Sequence, residues 1–99
     1  MLANSFEYDP LEREEKQLKR FVRNRLNGHC IYCGKQSESM TVDHIVPLKL
    51  GGTNALNNLV PACPNCNLKK GHRNVWEWWQ RQEFFDLDRA ILLTEIMKD

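Results

Sequence analysis

The sequence has no long apolar run and too few residues for two domains. A chain of 99 residues provides enough surface for one modest core. No segment approaches the roughly 20 apolar residues that a membrane-spanning helix needs. Glu, Lys and Arg are frequent near the N-terminus, where a secretory signal would be apolar. We therefore expect a single domain over residues 1–99 that is cytoplasmic and has no membrane role.

The sequence also lacks a clear excess of one charge. Lys and Arg number 14 and Asp and Glu number 13, which gives a net charge of +1. The protein as a whole therefore has no strong field that would attract a polyanion. Basic side chains are concentrated in residues 13–25 and acidic ones in residues 83–99, which predicts a basic side. Glutamates interleaved in the basic segment can pair with its lysines and arginines.

A helix is predicted near the N-terminus. Asp9, Pro10 and Glu12 have the pattern of an N-cap, a first helical residue and a capping-box acid. Apolar residues follow at helical spacing until Asn27-Gly28, a pair that favours a left-handed helix end. This predicts a helix over about residues 10–27.

Two more helices are predicted within about residues 74–98, where aromatic and aliphatic residues recur at helical spacing. Asp86 is in position to cap the last of them. Trp76 and Trp79 are three residues apart and are predicted to face the core, whereas Trp78 is predicted to be exposed.

The middle of the chain, about residues 28–73, combines strand and knuckle patterns. Residues 40–46 are short and rich in β-branched side chains, and Gly51-Gly52 separates them from a second short apolar stretch at residues 59–60. Residues 67–70 continue with helix-compatible side chains. The predicted order is strand, strand, helix.

Four cysteines form two close pairs, and their arrangement predicts a metal site. The pairs Cys30-x-x-Cys33 and Cys63-x-x-Cys66 each present two thiolates to one ion, as zinc knuckles do. Two disulfides are the alternative, which the apparent absence of an export signal disfavours. Four thiolates complete the shell of Zn²⁺, so this zinc is expected to be structural and not catalytic.

Several motifs occur together in register, and together they resemble the HNH endonuclease family. They are Cys30-x-x-Cys33, Asp43-His44-Ile45-Val46-Pro47, Gly51-Gly52, Asn58-Leu59 and Cys63-x-x-Cys66-Asn67-x-x-Lys70. The resemblance implies a ββα-metal core of the His-Me finger type, in which a hairpin and a helix hold a divalent ion against a scissile phosphate. The expected fold is therefore small α+β, with a four-cysteine zinc site and flanking N-terminal and C-terminal helices.

The resemblance also assigns roles to individual residues. Asp43 falls at a metal-ligand position, His44 at the general base, and Asn58 at the asparagine that orients the loop, with Asn57 as a rival. Asn67 falls where the family's third motif residue, commonly histidine, binds the metal. An amide oxygen suits Mg²⁺ or Mn²⁺ better than it suits zinc.

Four further residues are candidates for contacts with the substrate. His72 is an alternative metal ligand or a phosphate contact. Lys69, Lys70 and Arg73 follow the metal-site residues and are predicted to contact phosphates, although charge runs are usually solvated surface.

The residue chemistry is compatible with these roles. An imidazole that titrates near neutrality can take a proton from water, and a cation held by a carboxylate can stabilise the phosphate and the leaving 3′ oxygen. Neighbouring strand residues point to opposite faces, so Asp43 and His44 can serve one phosphate only where the strand is distorted or ends.

The sequence thus predicts a metal-dependent endonuclease that hydrolyses DNA, with a homodimer or a larger protein as a further partner. The alternative is a non-catalytic zinc module that binds nucleic acid or protein. It is suggested by the near-neutral charge and by Asn67 in place of histidine.

Overall fold

The structure, a computed structural model, describes residues 10–98. Its helices and strands are α1 (Pro10–Arg23), β1 (Thr41–His44), β2 (Leu59–Ala62), α2 (Pro64–Lys70), α3 (Val75–Gln80) and α4 (Leu87–Lys98). Two short 3₁₀ turns, Leu48–Leu50 and Leu56–Asn58, lie between the strands. A central strand, strand, helix unit with helices on either side confirms the predicted small α+β fold.

The two strands form an antiparallel hairpin, and its register decides which side chains share a face. Thr41 pairs with Ala62, and His44 pairs with Leu59. Because side chains alternate along a strand, Thr41 and Asp43 lie on one face and His44 on the other. We call the face with Thr41 and Asp43 the inner face, since α2 contacts it. The outer face carries His44 and borders α1.

Helix α1 is shorter than predicted. It ends at Arg23, and residues 24–27 form turns instead of a further helical turn. Asn27 and Gly28 then adopt φ values of 52° and 79°, the left-handed conformation that their sequence predicted as the helix end. Asp9 lies outside the described residues, as does the side chain of Glu12, so the proposed N-cap stays a prediction.

The last helix is capped at Asp86 as the sequence predicted, but the pair of tryptophans that is buried differs from the predicted pair. Asp86 Oδ2 accepts a bond of 2.9 Å from the Arg89 backbone N–H at the start of α4. Trp79 is fully buried and Trp78 is 6% exposed, whereas Trp76 is only half-buried. The prediction that Trp78 would be exposed is wrong, because Tyr32 packs edge-on against both Trp78 and Trp79.

One core joins the knuckle, the hairpin and the C-terminal helices. Its buried apolar side chains include Ile31, Ile45, Val60, Trp79 and Leu93. No helix in residues 10–98 has both the length and the apolar character to cross a bilayer.

Gly51 and Gly52, between the strands, each require the absence of a side chain, but for different physical reasons. Gly51 has a φ of 94°, and a Cβ there would meet nothing within 4 Å. A Cβ on Gly52 would lie 1.8 Å from the carbonyl oxygen of Val46 and 3.0 Å from Asn58 Nδ2. Gly52 therefore allows the loop to pack closely against the end of β1.

We expect Gly52→Ala to lower the free energy of unfolding more than Gly51→Ala does. The change at Gly51 costs about 1–2 kcal/mol for a left-handed alanine, whereas the change at Gly52 also forces the Val46 carbonyl and Asn58 to move. Urea unfolding of the two variants measures the difference. Equal losses would show that the close approach at Gly52 contributes nothing.

Candidate active site

Four sulfur atoms converge beside the hairpin and form a site of the size that zinc requires. The Sγ atoms of Cys30, Cys33, Cys63 and Cys66 all lie within 4.8 Å of one another. Tetrahedral Zn–S bonds of about 2.3 Å place neighbouring sulfurs about 3.8 Å apart, and the Cys33 and Cys63 sulfurs are 3.8 Å apart. The cluster fits a structural zinc site.

The disulfide alternative does not fit this arrangement. All four cysteines are free, and the Cys33 to Cys63 separation of 3.8 Å is well beyond the roughly 2.05 Å of a disulfide. Hydrogen bonding from the Cys66 thiol lowers the pKa of Cys30 to about 5. A thiol that ionises easily in such a cluster is ready to bind a metal ion.

Asp43 is buried on the inner face and is bound by two partners. Its Oδ2 accepts a bond of 2.6 Å from the Tyr32 hydroxyl and lies 3.1 Å from Lys70 Nζ, while its Oδ1 lies 3.4 Å from the same ammonium. Burial raises the pKa of Asp43, and Lys70 and Tyr32 act in the opposite direction. Burial also raises the pKa of Tyr32 well above its usual value, so its hydroxyl stays a donor.

Asn67 is oriented by a relay of hydrogen bonds on the inner face. The Thr41 hydroxyl donates to the Ala62 carbonyl at 2.7 Å, so its oxygen accepts from Asn67 Nδ2 at 2.9 Å. The same nitrogen lies 3.5 Å from the Val42 carbonyl. Because the amide nitrogen faces β1, the orientation of Asn67 is fixed, and no donor in the described part of the chain reaches its Oδ1.

Asp43 and Asn67 both keep some capacity to accept a further bond. Asp43 Oδ1 has a single long contact with Lys70. The side-chain carbonyl oxygen of Asn67, Oδ1, accepts no bond from the described residues. Carboxylate and amide oxygens are suitable ligands for Mg²⁺ or Mn²⁺, which keep several waters when the protein supplies few ligands. The two residues lie on the facing surfaces of β1 and α2.

His44 lies on the outer face at the end of β1. Its side chain is half-buried and lines an open groove between the hairpin and α1, with Glu14 and Glu15 along the same groove. Its Nε2 is 2.7 Å from Asn54 Oδ1. An amide oxygen only accepts, so Nε2 donates in this bond, and in the neutral imidazole Nδ1 is then the nitrogen without a proton. The imidazole therefore does not point into the apolar core.

Asn58, and not Asn57, holds the loop between the strands. The Asn58 side chain accepts from the Val46 backbone N–H at 2.8 Å and donates to the carbonyls of Val46 and Thr53 at 3.0 and 2.8 Å. Asn57 instead contacts the Met97 carbonyl at 3.4 Å. Asn58 is thus a positioning residue for the segment that follows His44, and it lies 7% exposed inside the loop.

Lys70 is buried, so the prediction that it contacts phosphate is wrong. Its side chain has no exposed surface. Its ammonium is bound to the Asp43 carboxylate and to the His44 carbonyl, the latter at 2.8 Å. The reason is helical geometry: Lys70 lies one turn beyond buried Cys66, on the same face of α2.

The other predicted substrate residues are exposed. Lys69 and His72 lie on the surface at and just beyond the end of α2, and Arg73 donates to the carbonyls of Lys69 and Lys70 at 2.9 and 3.4 Å. Arg73 therefore caps α2. In residues 10–98 the four cysteines are the one group of three or more Cys, His, Asp or Glu side chains that could hold an ion, so His72 does not join Asp43 in such a group.

Three residues that bind the predicted site residues were missed. Tyr32 binds Asp43, Thr41 binds Asn67, and Asn54 binds His44. A signal existed for Thr41, which shares a strand face with Asp43 by the alternation of side chains. Nothing in the spacing of Tyr32 or Asn54 indicated their long-range partners.

Comparison with known proteins agrees with the motif pattern. Residues 30–73 match the family described as HNH endonuclease, a segment that runs from the first zinc-site cysteine to the residue that caps α2. The predicted resemblance to this family is thereby confirmed over less than half of the chain.

Three curated relatives each match just over half of the chain. The CRISPR-associated endonuclease Cas9 of Corynebacterium diphtheriae is 40% identical over 57 residues, which are 54% of this chain and 5% of that protein. The type IV methyl-directed restriction enzyme EcoKMcrA of Escherichia coli is 30% identical over 61 residues, 54% of this chain and 22% of that enzyme. Anaredoxin of Nostoc is 25% identical over 56 residues, 57% of this chain and 74% of its own length.

The chain thus spans a small part of the two relatives that are named as nucleases. The family match and these relatives support a nuclease or nucleic-acid-binding role.

We expect the purified protein to contain one tightly bound zinc ion, with removal by a chelator causing loss of the fold. A structural zinc contributes on the order of 10 kcal/mol in small zinc peptides, which exceeds the stability of many domains this small. Elemental analysis and thermal unfolding with and without chelator measure both effects. An intact mass four hydrogens below that of the reduced chain, with no zinc, would establish disulfides instead.

Lys70→Met is expected to lower the free energy of unfolding by about 3–5 kcal/mol, because it leaves the Asp43 carboxylate buried and unpaired. Lys69→Met is the matched control, since the neighbouring side chain is exposed and should change stability by less than about 0.5 kcal/mol. Urea unfolding compares the two. Equal effects would contradict the buried ion pair.

Proposed function

Because residues 30–73 match the HNH endonuclease family, we propose that this chain is a metal-dependent endonuclease that hydrolyses DNA phosphodiester bonds. In this proposal His44 is the general base, and Asp43 and Asn67 hold a divalent ion, Mg²⁺ or Mn²⁺. The four cysteines hold a structural zinc and take no part in the chemistry.

The observation that carries the proposal is the environment of His44. Its Nε2–H is bound to Asn54 Oδ1, and the ring borders an open groove. The free Nδ1 can accept a proton from a water molecule in that groove, since an imidazole titrates close to neutral pH. The Asn54 bond fixes the tautomer that this step requires.

The two faces of the hairpin meet at the end of β1. His44 is the last residue of the strand, and its Cα lies about 3.8 Å from that of Asp43, as for any neighbours along a chain. The proposal requires a phosphate at the end of the hairpin to meet His44 from the outer face and the ion at Asp43 from the inner face.

Bound at Asp43 and Asn67, the divalent ion would supply positive charge to the phosphate and to the leaving 3′ oxygen. The chain's own contribution is to hold these oxygens in place before substrate arrives. Thr41 fixes the amide of Asn67, and Lys70 fixes both the Asp43 carboxylate and the His44 carbonyl.

Exposed cations near the end of α2 suit a nucleic-acid substrate. Lys69 and Arg73 are exposed there, with the exposed His72 between them in sequence, and phosphate contacts account for a large part of the affinity of proteins for DNA. Glu14 and Glu15 border the groove beside α1. Phosphates beside the scissile bond are therefore expected to contact the α2 side of the hairpin.

A second candidate function is a non-catalytic zinc module that binds nucleic acid or protein. One observation favours it: the Asp43 carboxylate already has a buried cationic partner in Lys70, so the site is neutralised without a divalent ion. Such a module would bind DNA equally well with or without His44, and it would not cleave DNA in the presence of any metal ion.

The test is nicking of supercoiled plasmid by the purified zinc-loaded protein with Mg²⁺ or Mn²⁺. We expect His44→Ala to reduce the rate about 10²–10⁴-fold, which is the usual contribution of a general base. Asn54→Ala should lose part of this activity, because His44 is then present without its acceptor.

His29→Ala is the control, since it removes an imidazole whose Nδ1 binds the Leu26 carbonyl outside the site. It should cleave at the wild-type rate. Nicking that survives unchanged in His44→Ala would show that the catalytic assignment is wrong. DNA binding without nicking under either metal would establish the second candidate function.

A further inference from the structure

Tyr32 lies inside the first zinc knuckle, between Cys30 and Cys33, and it has no exposed surface. Cys30 and Cys33, which precede and follow it, both belong to the cluster of four sulfurs. The position of its ring is therefore tied to the knuckle on one side of the molecule.

The C-terminal helices hold Tyr32 from the opposite side. Its ring packs edge-on against Trp78 and Trp79, with centroids 5.3 and 5.2 Å away. Its carbonyl accepts bonds from Trp79 Nε1 at 3.0 Å and from Arg89 Nη2 at 3.2 Å. The side chain and the backbone of Tyr32 are thus both restrained.

The hydroxyl of this restrained ring reaches the inner face of the hairpin. It donates to Asp43 Oδ2 at 2.6 Å, which is the short end of the range for such bonds. With Oδ2 occupied by Tyr32 and Lys70, Oδ1 is the oxygen with acceptor capacity left. Without the hydroxyl the carboxylate would be held by Lys70 alone, whose ammonium already lies 3.1 Å from Oδ2 and 3.4 Å from Oδ1, so its rotation would be less restricted.

We propose that Tyr32 is a positioning residue whose hydroxyl fixes the Asp43 carboxylate for a divalent ion. This rests on the proposed function, because it assumes that Asp43 is a ligand. Tyr32 acts through Asp43 and touches neither the ion nor the substrate.

The experiment measures Mn²⁺ binding to the zinc-loaded protein without DNA, by electron paramagnetic resonance of free Mn²⁺. Groups that orient metal ligands typically change metal affinity about 10- to 100-fold when removed, so Tyr32→Phe should weaken Mn²⁺ binding by about that factor. The phenylalanine ring keeps the contacts with Trp78 and Trp79, and the zinc content should stay at the wild-type value.

Two further variants separate positioning from a general loss of structure. Asp43→Asn should also weaken Mn²⁺ binding, and adding Tyr32→Phe to it should have no further effect if the hydroxyl acts through the carboxylate. Trp78→Phe perturbs the packing around Tyr32 and keeps its hydroxyl, so it should weaken Mn²⁺ binding less than Tyr32→Phe does. Equal weakening in Trp78→Phe, or additive effects in the double variant, would overturn the proposal.

The remaining outcomes distinguish this proposal from the proposed function. If Asp43→Asn weakens Mn²⁺ binding and Tyr32→Phe leaves it unchanged, the role of Tyr32 is wrong and the endonuclease proposal stands. If wild type and Asp43→Asn bind Mn²⁺ alike, Asp43 is not a ligand, and both proposals fail at the metal site.

Discussion

The convergence of four thiols is the constraint on which the rest of the site depends. Cys33 and Cys63 are far apart in sequence, yet their sulfurs lie 3.8 Å apart, so the whole hairpin is the loop that this contact closes. Cys63 is also the N-cap of α2, and Cys66 faces inward from its first turn. The sulfur cluster therefore sets the rotation of α2, and that rotation turns Lys70 toward the inner face of the hairpin.

A buried carboxylate is the electrostatic consequence of that rotation. Burial alone disfavours the charged form of Asp43 and raises its pKa, and Lys70 and Tyr32 counteract this effect. An unpaired charge in such a position costs several kcal/mol, whereas a paired one can be retained. The Lys70 ammonium thus offsets part of the cost of burying the charged form of Asp43. A divalent ion at Asp43 would have to share the carboxylate with Lys70, which agrees with an ion that is held loosely compared with zinc.

Much of this arrangement could be predicted from local sequence patterns, and the rest depends on how elements pack. The paired cysteines, the Gly51-Gly52 turn and the cap at Asp86 are local signals, so the cysteine cluster and the order of strands and helices followed from them, whereas the ββα-metal fold was implied by the resemblance to HNH endonucleases. Lys70 and Trp78 were misassigned because α2 and α3 are too short, at seven and six residues, for periodicity to show which face is buried. Tyr32 binds Asp43 and Asn54 binds His44 across loops, and local sequence spacing does not predict such contacts.

The two faces of the hairpin prepare the site to different degrees. On the inner face, Asp43 is bound by two side chains from different elements and Asn67 by a relay through Thr41. On the outer face, the imidazole of His44 has one hydrogen bond, to Asn54, in an open groove. Oriented donors and ligands stabilise a transition state most when they need no rearrangement. In the proposed enzyme the inner face is therefore held in place before substrate arrives, and the outer face is the one whose geometry a bound nucleic acid can still adjust.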